Sequence, residues 1–328
     1  MYSLPFWYED VHDPAVGIRS SVLSTRIRMA RNISGVPFPN RMSLAQYLAL
    51  RNAIYRVLTG NHFVECRKGT EVQCADFLIV VEGREDASVA FGNPLTGQAI
   101  VIGDEDHLRI STVNAGLELD KTLEMTLRME KRLSEEFQYS FDVDRFGFLT
   151  ASMANAGLAM RASVWMHLPG LALTGRWSDV EPLLHSLEIS VRGILGEKSD
   201  MTAGMVQLSN RTSYGRTPEE LLAKLKRVVE LVDSEERTSQ SDLLRQYRSQ
   251  TMDFLKWMSL LEQPFMPSDS LVHAVSAALL ASRLGYNVRF DNALALRVLI
   301  AGFKSLQPDG TVQMQVVRNF LRDTLMES

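Results

Sequence analysis

Short apolar runs broken by glycine, proline and charge alternate with longer amphipathic stretches up to about Ser209, and amphipathic stretches alone follow. Residues 22–32 read as a strand, with Arg26 and Arg28 on one face and Thr25 and Ile27 on the other. Residues 43–58 predict a helix, because Ser43 can cap it and Leu44, Tyr47, Leu48, Ala53 and Ile54 fall roughly on one side. Residues 59–74 read as polar loop, 76–82 as a buried strand and 83–97 as a turn-rich connection. The β-branched run 99–102, ending at Gly103, predicts a strand, and 107–113 the next one. A long amphipathic helix over 117–137 carries Leu119, Leu123, Leu127 and Leu133 on or near one stripe, and should cover a sheet. A strand ending near Thr150 then leads through small residues to a segment carrying Arg161. A helix over 178–186 and strands over 187–192 and 204–209 complete this part.

Thr217-Pro218-Glu219-Glu220 resembles a capping box with proline at the first helical position, opening a helix to about Val232. Beyond the polar residues 233–241, helical patterns over 242–262, 269–284, 292–305 and 312–326 are punctuated by Pro264, Pro267, Gly285 and the turn at 307–310. Strands separated by connections of varied length do not suit a regular βαβ repeat. The expected fold class is α+β: a mostly antiparallel sheet flanked by helices in residues 1–235, followed by an all-helical C-terminal domain in 236–328.

Composition agrees with two soluble domains. The length, 328 residues, allows roughly two domains, and 45% hydrophobic with 23% charged residues is ordinary for a chain with real cores. A net charge of −4 argues against a globally basic nucleic-acid binder but leaves room for a local basic pocket. Cys66 and Cys74 form no CxxC and have no histidines at metal spacing, so reduced thiols are expected. No membrane-spanning run and no signal-peptide pattern is visible, which leads to the expectation of a cytoplasmic protein that binds no membrane.

The chemistry concentrates after Gly103, where Asp104-Glu105-Asp106-His107-Leu108-Arg109-Ile110 puts three carboxylates, an imidazole and a guanidinium at a strand end. Adjacent carboxylates repel, so cations should face them; Arg26, Arg28, Arg161 and Arg192 are the candidates. Arg26 and Arg28 would themselves repel unless an anion bridges them, and the planar guanidinium fork suits a phosphate. Taken singly, the acidic cluster also reads as a solvated turn and the arginine pair as a basic edge strand. The small residues around Ser152-Met153-Ala154-Asn155-Ala156-Gly157 would let backbone N–H groups approach a ligand, as they would also build a tight turn.

Together these stretches resemble the guanidino-phosphotransferase family, and within it the bacterial protein-arginine kinases, in order over about residues 20–235. Ser24-Thr25-Arg26-Ile27-Arg28 is similar to the family's first nucleotide-binding strand. Asp104 to Arg109 is similar to its Asn-Glu-Glu-Asp-His-Leu-Arg motif, which puts Glu105 at the catalytic carboxylate and His107 and Arg109 in the nucleotide site. Arg161-Ala162-Ser163-Val164-Trp165 and Arg192-Gly193-Ile194-Leu195-Gly196-Glu197 match the remaining nucleotide-binding segments, with Glu197 as a second guanidinium-orienting carboxylate. The resemblance implies ATP and Mg²⁺ as cofactors. In the small-molecule kinases of the family a helical domain precedes the sheet. Here helices follow it, as in the protein-arginine kinases, which implies protein substrates with exposed arginines, a homodimer and an activator or adaptor partner.

Three departures accompany the resemblance. The family's loop Cys-Pro-Thr-Asn-x-Gly-Thr-Gly reads Ser152 to Ala159 here, with Ser152 at the reactive cysteine. Gly83-Arg84 stands where a histidine is expected, and the phosphoarginine-docking Arg-Asp-x-x-Arg-Ala has only a loose echo in residues 317–323. Two functions therefore remain open at this point: an ATP-dependent protein-arginine kinase, and a nucleotide-binding regulatory subunit without turnover. Both require the five arginines to converge on one pocket.

Overall fold

A computed structural model describes residues 20–58, 62–67, 88–193, 201–246, 263–285, 290–307 and 309–319. The expected strand over 76–82, the segment Ile194-Leu195-Gly196-Glu197, Gly83-Arg84 and Cys74 lie outside the described residues.

The chain begins with β1 (Val22–Arg31), α1 (Leu44–Leu58), β2 (Val64–Arg67), β3 (Val89–Asn93), β4 (Gln98–Ile102) and β5 (Leu108–Ala115). Next come α2 (Leu119–Ser134), a two-residue ribbon β6 (Phe141–Asp142) and β7 (Gly147–Phe148), and β8 (Met160–His167). After α3 (Pro169–Leu173) and α4 (Trp177–Ser186) follow β9 (Ile189–Gly193), β10 (Met205–Asn210) and the long α5 (Pro218–Gln246). The C-terminal part holds β11 (Phe265–Pro267), α6 (Ser268–Arg283), α7 (Asn292–Lys304) and β12 (Thr311–Gln313). Among the described residues eight strands form one sheet in the order β2-β3-β4-β5-β1-β8-β10-β9, and every neighbouring pair is antiparallel. The fold is α+β, as the pattern predicts, but the C-terminal part is not all-helical as expected: β11 and β12 form a two-stranded antiparallel ribbon among its helices.

Helices α2, α4 and α5 bury their apolar stripes on one face of the sheet, against Ile27, Met29, Ala162, Val164 and Leu208. On α2 the stripe is Leu119, Leu123, Met129 and Leu133, with Leu127 left exposed. On α1 it is Tyr47, Leu50, Ile54 and Leu58; Leu44 and Leu48, read as core from the sequence, are exposed. Ser43 and Gln46 cap α1 reciprocally, Ser43 N donating to Gln46 Oε1 at 2.8 Å and Gln46 N to Ser43 Oγ at 3.4 Å. Helices α6 and α7 form a second core with Leu23, Val113, Ala115, Trp165 and Met205.

Two expectations need correction. The segments read as loop over 59–74 and 83–97 contain β2 and β3: VECR alternates apolar and polar but over only four residues, and VAFGN is a fully buried run of five with a glycine inside it. The helix expected to stop near Val232 continues to Gln246. Its polar residues are not a break. Asp233 accepts from Ser21 N at 2.8 Å, and Glu236 accepts from Gly170 N at 2.7 Å and Leu171 N at 2.8 Å. The C-terminal helices are tied to the same region by Arg283, which donates to Ser20 O at 2.9 Å and Asn292 Oδ1 at 2.8 Å, and by Ser276, whose Oγ lies 2.8 Å from His167 Nε2.

Burial holds the Glu236 carboxyl up to about 7, against the opposing pull of the Leu171 and Gly170 N–H groups, Gln240 and the Arg283 guanidinium. An acid whose folded pKa is raised stabilises the fold fully below its unfolded pKa of 4.5, and loses that contribution as pH rises through about 7. Glu236→Gln removes the titration. The stability gap between wild type and this variant is expected to narrow from pH 5 to pH 8, by up to about 3 kcal/mol. Thermal melts across that range check it, and a constant gap would contradict the assignment.

Candidate functional site

The strand register decides which side chains share a face. On β1, Arg28 pairs with Ser111 on β5 and with Arg161 on β8, and Ala30 pairs with Arg109. Arg26 pairs with Ser163, and Ser163 pairs with Ser209 on β10. Ser24 pairs with Trp165, Trp165 with Gln207, and Gln207 with Arg192 on β9. Directly opposed residues point to the same side of a sheet. Arg26, Arg28, Arg109, Arg161 and Arg192 therefore lie on one face, opposite the one covered by α2, α4 and α5.

These cations act on one another. Burial, then Arg109 and Arg161, lower the Arg26 guanidinium to about 10. Arg28 falls further, to about 9, through burial first and then Arg109, Arg26, Arg161 and Arg192. Arg161 is held by Ser209, donating from Nε at 3.1 Å and Nη2 at 2.7 Å to its hydroxyl. A cleft opens at one end of this face, lined by Arg28, Asp106, Arg109, Asn155, Arg161 and Arg211 among others; of the five arginines expected to converge on one pocket, Arg26 and Arg192 share the face but do not line this cleft.

The acidic cluster is the turn between β4 and β5 and forms one wall of the cleft. Gly103 opens it with φ +70°, and a Cβ there would lie 2.2 Å from the Tyr47 ring, so glycine is required on both counts. Asp104 forms an ion pair with Arg109 at 2.5 Å. Asp106 is buried and accepts from Asn32 Nδ2 at 2.6 Å and Ala151 N at 2.7 Å. It thereby ties the turn to the end of β1 and to the loop carrying Ser152. Glu105 stays exposed. Its pKa is raised, by burial first and by Asp106 and Asp104, against the opposing pull of Arg109 and Arg28.

Other residues singled out in the sequence are placed differently. His107 is buried, its Nδ1 accepting from Ile33 N at 2.9 Å and its Nε2 lying 2.7 Å from Pro37 O. Those two contacts fix a neutral ring with the proton on Nε2 and leave no nitrogen for a ligand. Thr25, Ile27, Ala162 and Val164 are fully buried on the helix-covered side, Thr25 Oγ1 donating to Gly116 O at 2.6 Å. Ser24 and Ser163 are buried on the arginine side, and Gly193 is the buried end of β9. Trp165 sits under the C-terminal helices with its indole N–H buried and without a hydrogen-bond partner among the described residues. Ser152 precedes a single 3-10 turn (Met153–Asn155) and its carbonyl accepts from Thr150 Oγ1 at 2.8 Å and from Asn155 N at 3.0 Å. Residues 194–197, Glu197 included, lie outside the described residues.

Sequence reasoning missed Ser209, Asn210 and Arg211. Asn210 fastens β10 to β8, its Oδ1 accepting from Ala162 N at 2.7 Å and its Nδ2 donating to Met160 O at 3.0 Å. The alternation Gln207, Ser209, Arg211 was the available signal for one shared face.

A concave face of guanidiniums beside a carboxylate-bearing turn can bind a polyanion and orient a cation next to it. The comparisons with known proteins agree. The family described as ATP:guanido phosphotransferase, C-terminal catalytic domain, matches residues 68–239. A protein-arginine kinase of Geobacillus thermodenitrificans is 32% identical over 283 residues, covering 81% of this chain and 77% of that protein. A protein-arginine kinase of Caldanaerobacter subterraneus subsp. tengcongensis is 30% identical over 246 residues, covering 71% and 73%. Among solved structures, a lombricine kinase superposes with a TM-score of 0.59 at 21% identity over 67% of each chain. The duplicated taurocyamine kinase of Schistosoma mansoni gives 0.57 at 21% identity over 80% of this chain and 38% of its own. With the antiparallel sheet, the arginine face and the family match in agreement, the chain belongs to the ATP:guanido phosphotransferase family.

Proposed function

We propose that the protein transfers the γ-phosphoryl group of Mg-ATP to the guanidinium of arginine residues in proteins. The observation that carries this reading is the single sheet face holding Arg26, Arg28, Arg109, Arg161 and Arg192 with Glu105 on the turn at its edge. Like charges this close are costly until a polyanion meets them, and a triphosphate supplies several oxygens in reach of paired forks. Phosphoryl transfer depends chiefly on positioning and charge neutralisation, which such a face provides.

A guanidinium becomes a nucleophile only when held in line and relieved of a proton. Glu105 accepts that proton as the substrate nitrogen bonds to the γ-phosphorus and the bond to the ADP oxygen breaks. Its raised pKa makes it a stronger base than an ordinary carboxylate. Glu197 is the proposed second orienting carboxylate, and Ser152 lies on the loop facing the substrate. Mg²⁺, when bound, neutralises charge on the phosphates.

Protein-bound arginine is favoured over free arginine because the relatives named protein-arginine kinase cover most of the chain. In this reading residues 1–235 are catalytic and residues 236–328 serve dimerisation and substrate recognition. The test is competition between an unfolded arginine-rich protein and free L-arginine, read by phosphoarginine mass spectrometry. Modification of the protein is expected to dominate; phosphorylation of free arginine alone would reject the protein-substrate assignment.

A further inference from the structure

We infer that Arg211 is a further phosphate-binding residue of the cleft, a fourth guanidinium beside Arg28, Arg109 and Arg161. The inference rests on the proposed nucleotide site and adds to it a residue that no sequence motif marks.

Three observations carry it. First, the ladder of β10 and β9 extends one residue past Asn210, since Asn210 pairs with Ile189 and Arg211 N donates to Glu188 O at 2.9 Å. Arg211 is then in phase with Gln207 and Ser209, and Ser209 opposes Ser163 on the arginine face. The β8–β10 ladder itself ends at Ser209 and Ser163, where the Asn210 side chain takes over the contacts with β8. Arg211 thus follows Ser209 off the end of the face that carries Arg28 and Arg161. Second, Arg211 lines the same cleft as Arg28, Arg109 and Arg161, together with the neutral polar groups of Asn155 and Ser213. Third, the backbone at this position is fixed. The Asn210 side chain bonds Ala162 N, Met160 O and Thr212 O, whereas the Arg211 side chain is exposed and can swing.

Glu188, at the start of the adjoining strand, accepts from Lys224 at 3.1 Å and pairs with Arg216 at 3.5 Å, and the Arg211 charge also lies close enough to help hold its carboxyl down. The Arg28 guanidinium is pushed down by burial and by Arg109, Arg26, Arg161 and Arg192, and a polyanion in the cleft relieves that repulsion while drawing the Arg211 fork across from Glu188. A charge-assisted contact between a guanidinium and a phosphate is of the strong kind. Because Arg211 is exposed where it lines the cleft, its fork closes on phosphates already held by the inner arginines.

The experiment measures binding of Mg-ATP and of inorganic tripolyphosphate by titration calorimetry to wild type, Arg211→Ala, Arg211→Lys and Arg216→Ala. Arg211→Ala is expected to weaken both ligands about tenfold or more. Arg211→Lys should recover part of the loss, and Arg216→Ala, equal in charge change but outside the cleft, should leave binding within twofold. An exposed side chain makes all three variants foldable, which ligand-free melting temperatures confirm. Arg211→Ala binding within twofold of wild type would overturn the inference, as would an equal loss in Arg216→Ala. Weakened ATP with unchanged tripolyphosphate would move the contact to the nucleoside and overturn the phosphate assignment. Failure of wild type to bind Mg-ATP would instead reject the nucleotide site, and Arg211 with it.

Discussion

Glu105→Gln is expected to lower phosphoryl transfer by roughly 10²–10⁴-fold, the range for removing a positioned general base, while Mg-ATP still binds. Glutamine keeps the size and one acceptor oxygen but cannot take the proton from the attacking guanidinium. The supporting turn should survive, because its anchors lie elsewhere: Asp106 on Asn32 and Ala151, His107 between Ile33 and Pro37, and Asp104 on Arg109. The wild-type rate should also rise with pH through the Glu105 pKa, which is raised because burial and the flanking aspartates disfavour its charge. That limb should vanish in the variant. Steady-state kinetics with a protein substrate from acid to neutral pH reads both effects. Unchanged turnover in Glu105→Gln would remove this residue from the chemistry.

The arginine face gives the second large effect. Mg-ATP at a hundredfold excess over its Kd should stabilise wild type by about 2.7 kcal/mol through mass action, and Arg28→Ala or Arg161→Ala should lose most of that shift. The two variants should differ without ligand. Arg28 is buried among like charges that depress its pKa to about 9, so folding pays for keeping it protonated. Removing it should leave the ligand-free melting temperature unchanged or raised. Arg161 donates twice to Ser209, so its loss should lower that temperature slightly. Differential scanning fluorimetry with and without Mg-ATP separates the cases. A full ATP shift in both variants would mean that nucleotide binds elsewhere.

Much of this site was legible in the chain because its geometry follows from period-two alternation. Arg26 and Arg28 two apart on an apolar strand can only share a face, and a charged cluster directly after a glycine-bounded run can only be a strand-end turn. That Arg109, Arg161 and Arg192 share the face of Arg26 and Arg28 was legible by resemblance alone, since cross-strand register is set by pairing between distant segments. Residues whose polarity serves the interior were misread. Residues 233–241 look like a solvated break, yet Asp233, Glu236 and Ser239 are buried in an unbroken helix, Asp233 and Glu236 accepting backbone N–H groups of Ser21, Gly170 and Leu171. His107 reads as a ligand in a charged motif, but its two nitrogens are taken by main chain. Strands β2 and β3 escaped notice because four and five residues are too few for an alternation or an apolar run to stand out.

Phosphorus-31 NMR of the wild-type chain with Mg-ATP and an unfolded arginine-rich protein tests the central claim most directly, because it follows where the γ-phosphoryl group goes. The account predicts ADP and a phosphoramidate signal on the protein, growing in equal amounts and absent when Glu105 is replaced by glutamine. ADP accompanied only by inorganic phosphate, or Mg-ATP bound and left intact, would contradict it.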